Sequence, residues 1–165
     1  METPETQGRR WVVLVVCPLQ GHITPMLELA GVLHSAGFSI MVAHPNLNSP
    51  DSTKHPDFVF LPLSDGLDNR NQIDTSTNFR AFIRDLNSNC TAPLQESLAR
   101  EMERMGPHDR FACIIFDTMV CFAEDVANQL KLPSVILRIG SAMSTLSYVK
   151  LPWLHRQGIL PLKGI

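Results

Sequence analysis

Two residues stand out for what they could do together. His22 follows the apolar run Trp11–Cys17 within "CPLQGHITP", and Asp117 ends a second apolar run, "ACIIFD". An imidazole has an ordinary pKa of about 6.5, so it can take up a proton near neutral pH. A carboxylate on its other ring nitrogen would fix the tautomer and stabilise the imidazolium as it forms. Serine-nucleophile hydrolysis is disfavoured, because no G-x-S-x-G occurs and the histidine stands where such a serine would sit. The pair therefore reads as a base acting directly on a substrate hydroxyl or amine, help typically worth ~10²–10⁴ in rate. Two plainer readings compete. A histidine in a strand–helix loop can simply be exposed, and an aspartate ending a strand can cap the next helix, here near Val120.

Whether the two residues meet depends on the elements that carry them. Trp11–Cys17 is apolar throughout, as expected of a strand covered on both faces. Further strands are expected at residues 38–43, 58–61, 112–117 and 133–137. Thr24 as cap and Pro25 as first residue would start a helix carrying Met26, Leu29, Ala30 and Leu33, ended by Gly37. A helix with Phe79, Phe82, Ile83, Leu86 and Cys90 on one face is expected to break at Pro93. A further one, with Leu94, Leu98, Met102 and Met105, would follow it. Met119, Phe122, Ala123, Val126, Ala127 and Leu130 trace a one-sided amphipathic helix, and residues 141–148 begin another. Strands alternating with helices define an α/β fold with a doubly wound, Rossmann-like parallel sheet. The usual order 3-2-1-4-5 makes strands one and four neighbours. His22 and Asp117 would then face each other at the topological switch point, where such sheets bind ligands.

Composition narrows the alternatives. A net charge of −2 gives no basic field for nucleic acid, and no apolar run approaches the ~18 residues of a membrane span. The first turn lacks G-x-G-x-x-G, which disfavours a dinucleotide site. His34, His44, His55, His108 and His155 show no metal-ligand spacing. Cys17, Cys90, Cys113 and Cys121 form no C-x-x-C pair, and reduced, buried thiols of a cytoplasmic protein are expected. Arg9-Arg10 before "WVVLVVCPL" imitates a secretory signal, but Glu2 and Glu5 precede it and no small-residue cleavage site follows. Residues 1–8 are expected to be a disordered polar tail, and residues 9–165 one domain.

"PLQGHITPMLELAGVLHSAGFSIMVAHPNLNSP" resembles the start of plant family-1 UDP-glycosyltransferases, whose first strand leads into Q-G-H-x-x-P. "HPDFVFLPLSDGL" and "CIIFDTMVCFAEDVANQLKLPSVILR" extend the likeness. They are most similar to the group containing benzoxazinoid and cytokinin glucosyltransferases. The resemblance implies the N-terminal half of a GT-B fold, binding a small-molecule acceptor, with the UDP-sugar (UDP-glucose above all) held by a C-terminal domain. It implies His22 as the base and Asp117 as its partner, with inversion at the sugar and no metal. Gln20, Gly21, Phe116, Met119 and Phe122 would line the acceptor side, although core packing is the competing role for the last three. Many relatives carry Arg-Thr-Ser or Arg-Thr-Asp after strand five. Here the segment is Arg138-Ile139-Gly140-Ser141, so Ile139 supplies no hydroxyl and Ser141 is the candidate on the donor side. No nucleotide-sugar signature appears before Ile165, so the chain by itself is expected to be inactive. The alternative is a non-catalytic paralogue that binds a small molecule or regulates a partner.

Overall fold

The computed structural model describes residues 8–66 and 75–161. Residues 1–7 of the expected tail and residues 67–74 of the polar stretch 64–77 lie outside the described residues. The elements are β1 (Arg10–Val15), α1 (Gln20–Ser35), β2 (Ser39–Pro45), β3 (Val59–Leu63), α2 (Thr75–Arg104), β4 (Arg110–Asp117), α3 (Phe122–Gln129), β5 (Ser134–Leu137) and α4 (Ala142–Arg156). All strand pairs are parallel, and the order is β3-β2-β1-β4-β5. This is the expected doubly wound sheet.

Side chains alternate across each strand, so the two faces of β1 serve different layers. Val12, Leu14 and Val16 pack with Ile23, Met26 and Ala30 of α1. Val13, Val15 and Cys17 pack with residues of α2 and α3, among them Phe82, Leu86, Val126 and Ala127. The central strand is therefore sealed on both sides, and its carboxyl end is fixed in place.

Three sequence expectations need correction. Thr24 does not cap α1. The helix starts at Gln20, because the Leu19 carbonyl accepts the N–H groups of His22 and Ile23 at 2.8 and 2.9 Å. Thr24 Oγ1 instead donates to the Gln20 carbonyl at 3.3 Å. Pro25 thus lies in the second turn, where it removes a single intrahelical N–H.

Nor does Pro93 break its helix: α2 runs through it, and its non-helical residue is Asn78. Phe82, Leu86, Cys90, Leu94 and Leu98 recur every fourth residue, none more than 2% exposed. A proline inside a helix costs ~3 kcal/mol, whereas each large apolar side chain gains about 1.5–3 kcal/mol on burial. The shared stripe outweighs the break. Finally, Cys121 is exposed and Cys113 only half-buried, while Cys17 and Cys90 are buried. Cys121 falls in the turn before α3, which starts at Phe122 rather than at Met119.

Two helices end alike. After α1, Gly37 at φ +88° lets the Phe38 N–H return to the Leu33 carbonyl at 3.1 Å. After α3, Lys131 takes the same left-handed conformation at φ 56°, and the Leu132 N–H returns to the Ala127 carbonyl at 2.9 Å. A side chain with a Cβ is strained there and glycine is not. Lys131→Gly is therefore expected to raise the unfolding free energy by about 0.5–1 kcal/mol in urea denaturation. A loss of stability would mean that α3 does not end in this way.

Candidate functional site

The site is built where β1 and β4, hydrogen-bonded neighbours, release the chain at the same end of the sheet. From β1 the chain turns through Pro18 and Leu19 into α1, which sets His22 in the first helical turn. From β4 it stops at Asp117, whose side chain is completely buried. His22 Nδ1 and Asp117 Oδ2 lie 2.8 Å apart across 95 residues of sequence. An ionised carboxylate can only accept, so Nδ1 carries the proton and Nε2 keeps its lone pair. The His22 side chain is 21% exposed. It is the solvent-facing end of a pair whose other end is dry.

Asp117 does not cap α3, whose N-cap is Cys121 with no side-chain cap bond, but it holds the turn that precedes the helix. Its Oδ1 accepts the Met119 N–H at 2.8 Å, which organises the turn into α3. The turn bond and the pairing with His22 use different oxygens and do not compete. A buried carboxylate is costly unless it is hydrogen-bonded, and here both oxygens are engaged.

Cys17 is the third group at this point. Its Sγ, a ring nitrogen of His22 and a carboxylate oxygen of Asp117 all lie within 4.8 Å of one another. Burial pushes the Cys17 thiol up to about 12, and the charge of Asp117 adds to the rise. The sulfur is therefore a neutral neighbour of the pair at neutral pH. Sequence reading passed over Cys17, although the alternation of β1 places it on the same face as Val13 and Val15.

The loops around the pair are tied down by asparagines and an aspartate. Asn48, in the left-handed region at φ 52°, donates from Nδ2 to the Pro18 carbonyl at 3.1 Å, linking the β2 and β1 exits. Buried Asp65 accepts the Leu47 N–H at 2.8 Å, and Asn89 donates to the Asp65 carbonyl at 2.7 Å. Asn87 of α2 grips the turn after Asp117 from both sides. It donates to the Met119 carbonyl at 2.8 Å and accepts the Phe122 N–H at 3.0 Å. Nothing local marks Asn87 in the sequence, since its partners lie 32 and 35 residues away.

The remaining candidates divide. Gln20 and Gly21 are exposed at the start of α1, and a Cβ at Gly21 would meet nothing within 4 Å. Gly21 thus borders open space at the helix surface. Phe116 and Phe122, 2% and 3% exposed, sit in the core with Met119 packed against them, the competing role foreseen for all three. Ser141 caps α4 by accepting the Ser144 N–H at 3.1 Å. Ile139 packs partly buried against the α1-side core. A groove of about 420 Å³, not foreseen from sequence, runs between α1 and the loop after β2, lined by Gln20, Leu27, Glu28, Ser49, Asp51 and Lys54 among others. At helical spacing those α1 residues lie on the side opposite His22. Among the described residues no helix is long and apolar enough to cross a membrane.

Comparison with known proteins agrees with this architecture. The chain is 50% identical over 136 residues to UDP-glycosyltransferase 76E1 of Solanum lycopersicum, covering 82% of this chain and 28% of that protein. It is 36% identical over 165 residues to UDP-glycosyltransferase 76C1 of Arabidopsis thaliana, covering 96% of this chain and 34% of the relative. No family model matches. Among solved structures, Phytolacca americana UGT2, complexed with UDP-2fluoro-glucose and pterostilbene, superimposes with a TM-score of 0.70 at 19% identity, over 95% of this chain and 36% of that one. A UDP-glucosyltransferase from Polygonum tinctorium capable of glucosylating indoxyl gives 0.72 at 19% identity, over 93% and 35%. The fold is thus that of one part of a GT-B glycosyltransferase. By sequence the chain belongs with the plant UDP-glycosyltransferases, and it spans roughly a third of the length of the relatives it matches.

If Asn87 holds the Asp117 turn, Asn87→Ala should cost about 1–3 kcal/mol in urea unfolding, because it leaves a part-buried N–H and carbonyl without their partner. A change under about 0.5 kcal/mol, the scale of a neutral surface substitution, would show that the turn holds without it.

Proposed function

We propose that residues 9–165 are the acceptor-binding unit of an inverting UDP-glycosyltransferase that moves a sugar, glucose in the first instance, onto a small plant metabolite. The observation that carries this reading is the 2.8 Å pairing of a part-exposed imidazole with a fully buried carboxylate at the switch point of the sheet. The relationship to plant UDP-glycosyltransferases supports it.

In this reading the acceptor hydroxyl lies against His22 Nε2, on the part-exposed side of the ring. As its oxygen attacks the anomeric carbon from the face opposite UDP, its proton passes to Nε2. The bond between that carbon and the UDP oxygen breaks, and UDP leaves with the electron pair. Asp117 stabilises the imidazolium. Gln20, on the groove side of α1 away from His22, has no contact with the base in this reading, and Ser141 is the candidate toward the sugar. The reaction calls for a UDP-sugar as co-substrate and for no redox or metal cofactor. Cytoplasmic residence is part of the same proposal and rests on the cysteine spacing.

Transfer depends on holding both reactants in register, a contribution that can reach ~7–11 kcal/mol. We therefore expect the 165-residue chain alone to bind acceptor without turnover. Joined to the remaining two thirds of a relative, it should transfer glucose from UDP-glucose. In that fusion His22→Ala should lower kcat by about 10²–10⁴ with little change in the acceptor KM. Steady-state kinetics of both proteins decides the matter. A fusion that binds acceptor equally with and without His22 yet shows no turnover would favour the small-molecule-binding reading instead, and turnover that is the same without His22 would remove it as the base.

A further inference from the structure

Cys17 has no task in the transfer just described, yet its sulfur stands at the reacting pair. Sulfur, ring nitrogen and carboxylate oxygen within 4.8 Å of one another offer a soft, a borderline and a hard donor at a single point. Cys17 and Asp117 are fully buried and His22 is part-exposed, and three protein donors would leave a fourth position for an exchangeable ligand. That arrangement is the one zinc-like ions adopt when they keep an exchangeable ligand.

The dimensions fit. Tetrahedral zinc, with bonds of about 2.0–2.3 Å, holds its donor atoms roughly 3.3–3.8 Å apart. The donor atoms, within 4.8 Å of one another, would have to draw together by at most about 1.5 Å around the ion. Nδ1 and Oδ2, now 2.8 Å apart, would need to separate by only about half an ångström. No other group of three such side chains this close is found among the described residues.

We propose that Cys17, His22 and Asp117 form a binding site for a thiophilic divalent cation, Zn²⁺ or Cd²⁺, and that occupancy switches off the base. Binding breaks the thiol S–H bond, and that proton goes to solvent. The ring proton moves from Nδ1 to Nε2. The ion accepts electron pairs from Sγ, Nδ1 and an Asp117 oxygen, and no atom changes oxidation state. Thiolate and carboxylate together balance the two charges of the ion, so the buried centre becomes neutral. With its proton on Nε2 the imidazole is a donor there, and it can no longer accept a proton from a substrate hydroxyl. The ion is thus an inhibitor and not a cofactor. Binding of the ion rests on the geometry alone, while its inhibitory effect rests on the transfer reading above.

Co²⁺ tests it, since this ion takes zinc's geometry and reports through its d–d absorption and its thiolate charge-transfer band. The titration uses the 165-residue chain carrying Cys121→Ser, which removes the exposed competing thiol. One equivalent of Co²⁺ should give both signals, and Zn²⁺ should displace it. Adding Cys17→Ser should abolish the charge-transfer band, and adding His22→Gln should weaken binding at least about tenfold. Far-UV circular dichroism shows whether each variant is folded, and Cys17→Ala replaces the serine variant if that one is not. Absence of the band in the parent chain overturns the proposal. So does a band that survives loss of the Cys17 thiol, which would put the ion on Cys113 or elsewhere.

Discussion

The buried carboxylate of Asp117 is the constraint on which the local structure depends. A carboxylate withdrawn from water at the end of a central strand must find its hydrogen bonds inside the protein. It finds them in two directions, from the Met119 N–H along its own chain and from the His22 imidazole across the sheet. The first bond starts the turn into α3. The second ties the exit of β4 to the start of α1. One side chain thus sets both the path of the backbone and the tautomer of the neighbouring ring, and moving it would disturb both.

That arrangement needs rigid supports, and the sheet supplies them. β1 is paired on both edges and covered on both faces, so its end has little freedom. Asn48 and Asn87 then fasten the loops on either side to backbone groups of the site. By contrast α4 has no buried residue, and Met143, Val149 and Trp153 are among its exposed apolar side chains. The order of the structure is concentrated where β1 and β4 end.

Much of this could be read before any coordinates. Five apolar runs alternating with helical periodicity lead to a parallel sheet, and the usual strand order then brings His22 to Asp117 across 95 residues. The features that escaped share one physical cause: they are settled by contacts distant in sequence or by backbone alone. The start of α1 rests on the Leu19 carbonyl, which no side chain announces. Pro93 is carried inside α2 by a stripe whose burial depends on the sheet beneath it. Lys131 ends α3 in a conformation that glycine would have signalled. Asn87 looks like any polar residue of an amphipathic helix until the turn after Asp117 is folded against it. The resemblance to plant UDP-glycosyltransferases suggested the chemistry, and the geometry contributes the 2.8 Å contact between His22 and Asp117 on which the proposed roles rest.

The central claim is that Asp117 holds His22 with its proton on Nδ1 and its lone pair on Nε2. Long-range ¹H–¹⁵N correlation spectra of the His22 ring, recorded above the imidazole's titration range, test this directly. The account predicts an Nδ1-protonated, Nε2-bare ring in the native chain, and loss of that single tautomer in Asp117→Asn. A ring protonated on Nε2 in the native protein, or a tautomer indifferent to Asp117, would contradict it.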